Sequence, residues 1–297
     1  SKLNINEDID SLSYSIEKKK DKIFFKADFE VKNNSLNLEF LNYTKKKGVK
    51  SNLIVEGIVN KNNSVFLNKI NFAESKNLIK IKNININKKK KLKRIDQIDI
   101  DLVNNNDQIS QLNIKRKKSN YSINSKIFDG TKILDRILFS KSNGNFFDVF
   151  EKLNSKITIN FNTIYITNED YLTNFKADMI VNNNQIKDLI LSSRFVTKED
   201  LKLSIKTNSN NEKITDLFAG NAKPLVKKYD FIKGFEGGYL KFDSIEKNKV
   251  SNSNLKIFDF KLKEVPALTK LLTLASLQGI ADLLTGEGIR FNEFEMI

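Results

Sequence analysis

The side chains of this sequence that could carry out acid–base chemistry are pairs of carboxylates. Asp99 and Asp101 are two residues apart, and Glu169 and Asp170 are adjacent. Proton-transfer chemistry needs two such groups that converge on one pocket. Asp99 and Asp101 alternate with aliphatic residues, so on a strand they share its polar face. We therefore expect solvated carboxylates at this position rather than a catalytic pair.

Other catalytic and metal-binding chemistry lacks its usual residues. The 297 residues include no His and no Cys, which removes the commonest general base, thiol chemistry and the commonest metal ligand. The acidic pairs lack the spacing of a calcium loop, and no hydrolase, zinc-protease or phosphate-loop motif occurs. The glycines of Gly234-x-x-Gly237-Gly238 precede a strand, whereas a phosphate-binding loop follows one. We interpret them as the tight start of a strand at 239–242, and we predict no enzyme, no metal and no cofactor.

The chain is strongly basic, with 51 Lys and Arg against 36 Asp and Glu and a net charge of +15. Such a charge is typical of proteins that bind nucleic acid, of proteins that bind anionic lipid and of merely soluble proteins. The densest lysine runs, at 18–20, 45–47, 88–91 and 115–118, lie between apolar segments, where solvated turns are expected. Nucleic-acid binding needs aromatic rings on the basic face. The best case is 115–118 with Tyr121. However, most Phe residues alternate in phase with the apolar residues and so lie on the face opposite the lysines. We therefore predict no nucleic-acid partner.

Alternation of apolar and polar residues is the dominant pattern, and it predicts antiparallel sheet with one apolar and one polar face. Asn33-Asn34 predicts a hairpin turn within this pattern. The phase of the alternation slips after Ile81 and again after Phe161. Each slip indicates either a β-bulge in a curved sheet or two separate short strands. The clearest alternating segments are 23–31, 36–40, 53–59, 98–102, 157–161, 175–181 and 201–205.

Helical periodicity occurs in three places. The first is 131–139, with a possible second short helix at 146–153, and the next is 213–229, which Pro224 breaks or restarts. The strongest is 266–284, which starts at Pro266, stops before Gly286 and is apolar nearly all round. Its few polar side chains favour burial against a sheet over contact with lipid and over spanning a bilayer. A weak repeat relates 106–114 to 183–191, and each copy leads through a further strand to an Ile-x-Asp helix.

A sheet with one apolar face must bury that face. The predicted helices are too few to cover it, so the sheet either packs on itself as a sandwich or lines a groove. Both alternatives remain open from the pattern alone. The residues that would line such a groove are Ile23, Phe25, Phe29, Phe40, Ile157, Phe161, Phe175, Met179, Leu271 and Ala275.

The segment 225–294 resembles the AsmA-like family in its YhdP-type branch. The stretches that carry the likeness are FIKGFEGGYL at 231–240, FDF at 258–260 with VPAL at 265–268, LLTLASLQGI at 271–280 and GEGIRF at 286–291. Before residue 225, the chain is similar to the family only in its abundance of predicted strands. The motif positions with a structural role are Gly237, Gly238, Pro266, Gly279, Gly286, Gly288 and Phe291.

The resemblance implies a lipid-transport protein of the Gram-negative envelope. Proteins of this family are anchored in the inner membrane by one N-terminal helix, and a long, curled β-sheet in the periplasm conducts phospholipids toward the outer membrane. We therefore expect a mainly β fold: an elongated, curled antiparallel sheet with an apolar groove (β-taco-like), plus a few short helices that include 266–284. The partners would be phospholipid acyl chains, and the membrane through an anchor outside this sequence.

The resemblance also suggests three segments in what we interpret as a fragment of a longer protein. A strand-rich region covers 1–130, a helix–strand repeat unit covers 131–230, and an incomplete motif region covers 231–297. Two functions of other classes stay open, namely a structural or adhesive β-sandwich without lipid and a binder of anionic polymers.

Overall fold

The computed structural model contains one sheet of 16 strands and a separate sheet of two strands. It describes residues 11–132, 147–229, 233–248, 250–263 and 288–297. The large sheet is mostly antiparallel and is not closed, and few residues are helical. The prediction of a mainly β fold built on one large antiparallel sheet is therefore confirmed. The helix expected at 266–284 lies outside the described residues.

The large sheet follows the chain order from β1 to β18 and leaves out only β3 and β4, which pair with each other. The first strands are β1 (Ser11–Lys19), β2 (Lys22–Val31), β3 (Leu36–Leu38), β4 (Tyr43–Lys45), β5 (Ser51–Asn60), β6 (Val65–Glu74), β7 (Asn77–Ile86), β8 (Leu92–Val103), β9 (Ile109–Lys117) and β10 (Asn120–Asp129). The remaining strands are β11 (Ser155–Tyr165), β12 (Tyr171–Asn182), β13 (Gln185–Phe195), β14 (Asp200–Thr207), β15 (Lys213–Ala219), β16 (Phe235–Lys247), β17 (Val250–Leu262) and β18 (Ile289–Met296). A short helix, α1 (Lys223–Tyr229), precedes β16.

The residues group into two compact units. Unit 1 comprises Ser1–Asn168 and Asp178–Ile186, and unit 2 comprises Glu169–Ala177 and Lys187–Ile297. The three segments proposed from the sequence, 1–130, 131–230 and 231–297, stay a prediction.

Strand register separates an apolar face from a polar face in unit 1, because directly opposite residues on neighbouring strands point to the same side. One row across β1, β2 and β5–β9 is entirely apolar, and the neighbouring row on the opposite face is mainly polar. The apolar row is Leu12, Phe29, Leu53, Phe72, Ile79, Ile100 and Leu112. The polar row, across β6–β11, is Asn71, Lys80, Asp99, Asn113, Asn124 and Asn160.

Both phase slips lie within unbroken strands, so the alternative of separate short strands is wrong. In β7 the slip coincides with Asn83, whose φ of 55° is left-handed. Next to it, the β5–β6 register shifts between Glu56 and Gly57, which identifies a bulge. The second slip lies within β11, which runs without a break from Ser155 to Tyr165.

The connection between β10 and β11 runs from one end of the strands of unit 1 to the other. These two strands are parallel, so the chain must return from the end of β10 to the opposite end of the sheet before β11 begins. We call these the Asp129 end and the Leu153 end of unit 1. Of this connection, residues 133–146 lie outside the described residues.

Four local predictions were wrong. Asn33-Asn34 does not join β2 to its neighbour, because β2 pairs with β5 and Leu36–Leu38 pairs with β4. Phe40 lies on a 3-10 turn, Glu39–Leu41, rather than on a strand. Residues 147–153 form a turn and an isolated bridge instead of a helix. Residues 213–219 are strand β15, so the Ile-x-Asp at 214–216 is not helical and does not support the proposed repeat.

Candidate functional site

The predicted groove residues of unit 1 differ widely in how far they are covered. Ile157 and Phe161 are buried, with 5% and 8% of their surface exposed. Phe25 and Phe29 on β2 are only partly buried, and Ile23 remains 40% exposed. Met179 is half-buried and packs against an apolar cluster. The strand residues lie on the apolar face as predicted, but only part of that face is covered by the described residues.

Exposure on this face increases toward the edge strand β1. Leu102, on β8, is 1% exposed, whereas Leu12 and Ile16, on β1, are 46% and 64% exposed. Between them, the aromatic and aliphatic residues of β2 and β5 are half-buried. Since large exposed apolar surface is uncommon on soluble proteins, the face at β1, β2 and β5 is a candidate contact surface for an apolar ligand.

The Asp129 end of unit 1 is covered by the insert between β2 and β5. The Tyr43 ring packs edge-on against Phe72 of the apolar row, with 6.1 Å between ring centroids. Leu41 and Tyr43 are 6% and 2% exposed. Lys45 is wholly buried, and its ammonium donates to the carbonyl oxygens of Lys32 and Asn34 at 3.0 and 2.6 Å. The insert is therefore a folded cover and not a loose loop.

A buried carboxylate fixes this insert to the end of β10. Asp129 is 1% exposed, and its Oδ2 accepts hydrogen bonds from the side-chain amides of Asn42, at 3.0 Å, and Asn104, at 2.6 Å. Its Oδ1 accepts from the backbone N–H and the hydroxyl of Thr131, at 3.0 and 2.6 Å. A carboxylate that is buried and so fully hydrogen-bonded has a structural role, because its acceptor positions are all used.

The Leu153 end of unit 1 is crossed by residues 147–154. The backbone N–H of Leu92 donates to the Val149 carbonyl at 3.0 Å, and that of Glu151 donates to the Leu92 carbonyl at 2.7 Å. Farther along, the Asn184 side-chain amide donates to the Phe150 carbonyl at 3.1 Å. The buried cluster beneath comprises Tyr121, Phe147, Leu153, Ile157 and Val181. In unit 1, the described residues thus cover the apolar face at both strand ends.

Two tyrosines at these covers have perturbed acidity. Burial is the main cause that raises the pKa of Tyr43, and its hydrogen bond to Glu74 raises it further. Burial likewise raises the pKa of Tyr121, against the smaller opposing effect of a hydrogen bond with the Ile95 backbone. Both hydroxyls are therefore neutral donors or acceptors at neutral pH, and neither is a candidate acid or base.

The two carboxylate pairs that were the acid–base candidates do not converge in the described residues. Asp99 accepts hydrogen bonds from Gln97 and Asn113 on the polar face, and Asp101 is exposed. Both line a shallow depression of about 620 Å³. Glu169 forms an ion pair with Lys227 at 2.8 Å. Within the described parts of the chain, no three His, Cys, Asp or Glu side chains are grouped as a metal site would need.

The basic run at 115–118 does not form an aromatic–basic surface with Tyr121. Tyr121 lies directly opposite Arg116 and is 9% exposed, whereas Lys115 lies opposite Ser122 and so points to the other face. The aromatic ring is therefore part of the core and is not available to stack on a base. This agrees with the expectation that aromatic residues on the apolar face of a strand belong to the core.

In unit 2, two aromatic rows lie on opposite faces of the sheet, because the left-handed Asp259, with φ of 52°, separates Phe258 from Phe260 and reverses the alternation. Phe260 stacks on Phe235 and on Phe291, with centroids 5.1 and 5.2 Å apart. On the other face Tyr239 stacks on Phe258 at 4.8 Å, and the Lys241 ammonium lies 5.9 and 5.6 Å from the two rings. The sequence pattern did not predict this second row. Tyr239 and Lys241 are two residues apart on one strand, and this spacing alone indicates that they share a face.

The motif residues of unit 2 are described in part. Gly237, Gly238 and Gly288 have left-handed φ values of 71°, 73° and 88°, which explains glycine at these positions. Phe291 packs in the stacked row, and the predicted groove residue Phe175 is half-buried on β12. The remaining motif and groove positions lie outside the described residues, namely Pro266, Leu271, Ala275, Gly279 and Gly286.

No protein-family model matches the chain, and no curated protein or solved structure matches it significantly. Among the described residues, no helix has both the length and the apolarity that a bilayer crossing requires. The fold is that of a mainly β protein with one large open sheet.

Proposed function

We propose that this protein binds lipid acyl chains along the apolar face of its large sheet and thereby carries phospholipid through a bacterial envelope. The observation that supports the proposal most directly is incomplete cover. Phe25 and Phe29 are half-buried, and Ile16 is 64% exposed on the same face. Within the described residues the only other sheet is the two-stranded one formed by β3 and β4.

Acyl chains are the ligand that this face suits best. Each CH₂ group removed from water contributes roughly 0.8 kcal/mol, so a chain of many such groups needs only a continuous apolar surface. On the apolar face, Ile23, Phe25, Ala27 and Phe29 of β2 and Leu53, Val55 and Val59 of β5 provide such a surface without hydrogen-bonding side chains, and Tyr14 and Lys18 lie beside them on β1. A polar ligand would leave its own donors and acceptors unpaired there.

The rest of the proposal follows from the resemblance to AsmA-like proteins. In this view the chain is a periplasmic segment, and its protein is held in the inner membrane by an anchor outside the sequence. Its task is phospholipid delivery toward the outer membrane and hence envelope integrity. No catalytic step and no cofactor belong to this function.

The decisive experiment is site-specific photo-crosslinking in cells. A benzophenone amino acid replaces Phe25, which lies opposite Gly57 on the apolar face, and in a matched variant it replaces Phe24, which lies opposite Ile58 on the other face. We expect lipid adducts by mass spectrometry from position 25 and few from position 24. Equal labelling at the two positions, or none at either, would refute acyl-chain binding on this face.

A second candidate function has one specific observation in its favour. On the polar face of unit 2, Lys202, Phe218, Lys241 and Lys256 lie side by side on β14–β17. Lysines interleaved with aromatic rings are typical of surfaces that bind anionic polymers. Binding of single-stranded DNA or heparin that falls steeply with salt, and that a Lys202→Gln/Lys241→Gln variant loses, would support this function. Absence of binding at low salt would remove it.

A further inference from the structure

Two arginines converge on one carboxylate in a chain that otherwise uses lysine. Of the 51 basic residues, five are Arg. Arg94 Nε lies 3.6 Å from Asp96 Oδ1, and Arg116 Nη1 lies 3.5 Å from the same oxygen. Arginine at both positions, against so strong a bias to lysine, indicates that the planar guanidinium matters here and not only its charge.

The position of Arg116 relates this pair to the apolar face of unit 1. Arg116 lies directly opposite Tyr121 in the β9–β10 ladder, and Ile114 lies opposite Ile123. Tyr121 belongs to the buried cluster, and both isoleucines pack against it. The apolar run along β9 therefore ends, on the same face, in a guanidinium near the Leu153 end.

The arrangement leaves positive charge and hydrogen-bond donors unused. One carboxylate balances one of the two guanidinium groups, so the group of three has a net charge of +1. Neither Arg is within ordinary hydrogen-bond distance of Asp96, and in the described part of the chain neither has another ion pair. The side chains remain 43% exposed at Arg94 and 25% exposed at Arg116, so a ligand can reach them.

We infer that Arg94 and Arg116 bind the phosphate group of a lipid whose acyl chains lie on the apolar face of unit 1, which rests on the proposed function. A phosphodiester carries one negative charge, which equals the net positive charge of the site. Its oxygens accept the paired N–H donors of a guanidinium. Acyl chains attached to that phosphate would extend across the sheet toward the partly exposed strands β2 and β1, because Leu112 is buried and Ile114 packs against the buried cluster.

The test compares lipids that share acyl chains but differ in the head group. Binding of phosphatidylglycerol and of diacylglycerol, both in detergent micelles, is measured for the wild-type chain and for Arg94→Gln/Arg116→Gln. We expect the wild type to prefer phosphatidylglycerol by on the order of tenfold, since charge-assisted hydrogen bonds have this strength, and the double variant to lose the preference. The matched control is Arg194→Gln, because Arg194 lies at the same 3.6 Å from Asp200 in unit 2 and should leave the preference unchanged.

Each other outcome contradicts a different statement. A double variant that keeps the preference would overturn the phosphate site alone, because acyl-chain binding would persist. A wild type that binds neither lipid would overturn the proposed function and this site with it. Displacement of the phospholipid by inorganic phosphate at equal concentration would identify a free-anion site and overturn the lipid assignment. Should the double variant fail to fold, Arg116→Lys keeps the charge but not the planar fork, and it should lower the preference severalfold.

Discussion

Phe25 packs over Gly57, its direct partner across the β2–β5 ladder. A Cβ atom built on Gly57 would lie 3.0 Å from Phe25 Cζ and 2.9 Å from Leu67 Cδ2. The glycine thus leaves room for an aromatic ring that lies flat along the apolar face. This contact sits beside the bulge between Glu56 and Gly57, where the sheet changes register. The exposed apolar face and the irregular backbone are therefore parts of one local arrangement.

Gly57→Ala should destabilise the protein. The new Cβ would lie 2.7 Å from the backbone oxygen of Phe66, which cannot move without disturbing the ladder. Overpacking of this kind costs roughly 1–3 kcal/mol. Urea denaturation followed by circular dichroism measures the free energy of unfolding. Ser13→Ala, on the exposed strand β1, is the control and should stay within about 0.5 kcal/mol of the wild type. An unchanged free energy for Gly57→Ala would show that the ring and the ladder relax freely.

Asp129→Ala should release the insert that covers the Asp129 end. The substitution removes the acceptors of two side-chain amides, from Asn42 and Asn104, and of two groups of Thr131. Each buried polar group left unpaired costs about 1–3 kcal/mol. Hydrogen exchange should therefore accelerate in residues 33–49 before it does in β6 and β7. Asp101→Ala, on the exposed polar face, is the control, and equal exchange in the two variants would contradict a fastening role for Asp129.

Helix α1 should loosen from β16 at acid pH. The hydrogen bond from Lys223, at 2.6 Å, is the main cause that lowers the pKa of Glu236, and Lys263 also contributes. A carboxyl whose folded pKa is depressed stabilises the fold above the unfolded value, and this contribution disappears as pH falls below about 4.5 and through the folded pKa. Glu236→Gln should flatten that acid limb of the stability profile. Glu293→Gln, a control on β18, should change the limb less, and an identical limb in wild type and Glu236→Gln would refute the assignment.

The sequence identified the faces of the sheet better than its connections. Alternation places Phe25 and Asp99 on opposite faces correctly, because side-chain direction depends only on strand period. It could not reveal that Leu36–Leu38 leaves the large sheet, since pairing partners are chosen by contacts far apart in sequence. Of the helix predicted over 213–229, which Pro224 was expected to break or restart, only Lys223–Tyr229 is helical, and Lys213–Ala219 pairs as a strand with β14 and β16. The Arg94–Asp96–Arg116 group depends on a meeting of two strands, which no single-strand pattern displays.

Substitutions at Asn83 test whether the phase slip in β7 depends on a left-handed backbone conformation. Its φ of 55° lies in a region that Asn and Gly tolerate and that β-branched residues avoid. Asn83→Gly should therefore leave the free energy of unfolding within a few tenths of a kcal/mol, whereas Asn83→Val should lower it by roughly 1–2 kcal/mol. Asn85→Val, two residues along the same strand and opposite Arg94, is the matched control because its backbone is not left-handed. If valine is tolerated equally at 83 and 85, the slip is held by packing of the flanking isoleucines and not by the conformation of Asn83. If valine at 83 alone is costly, the left-handed residue itself brings Ile81 and Ile84 to the same face.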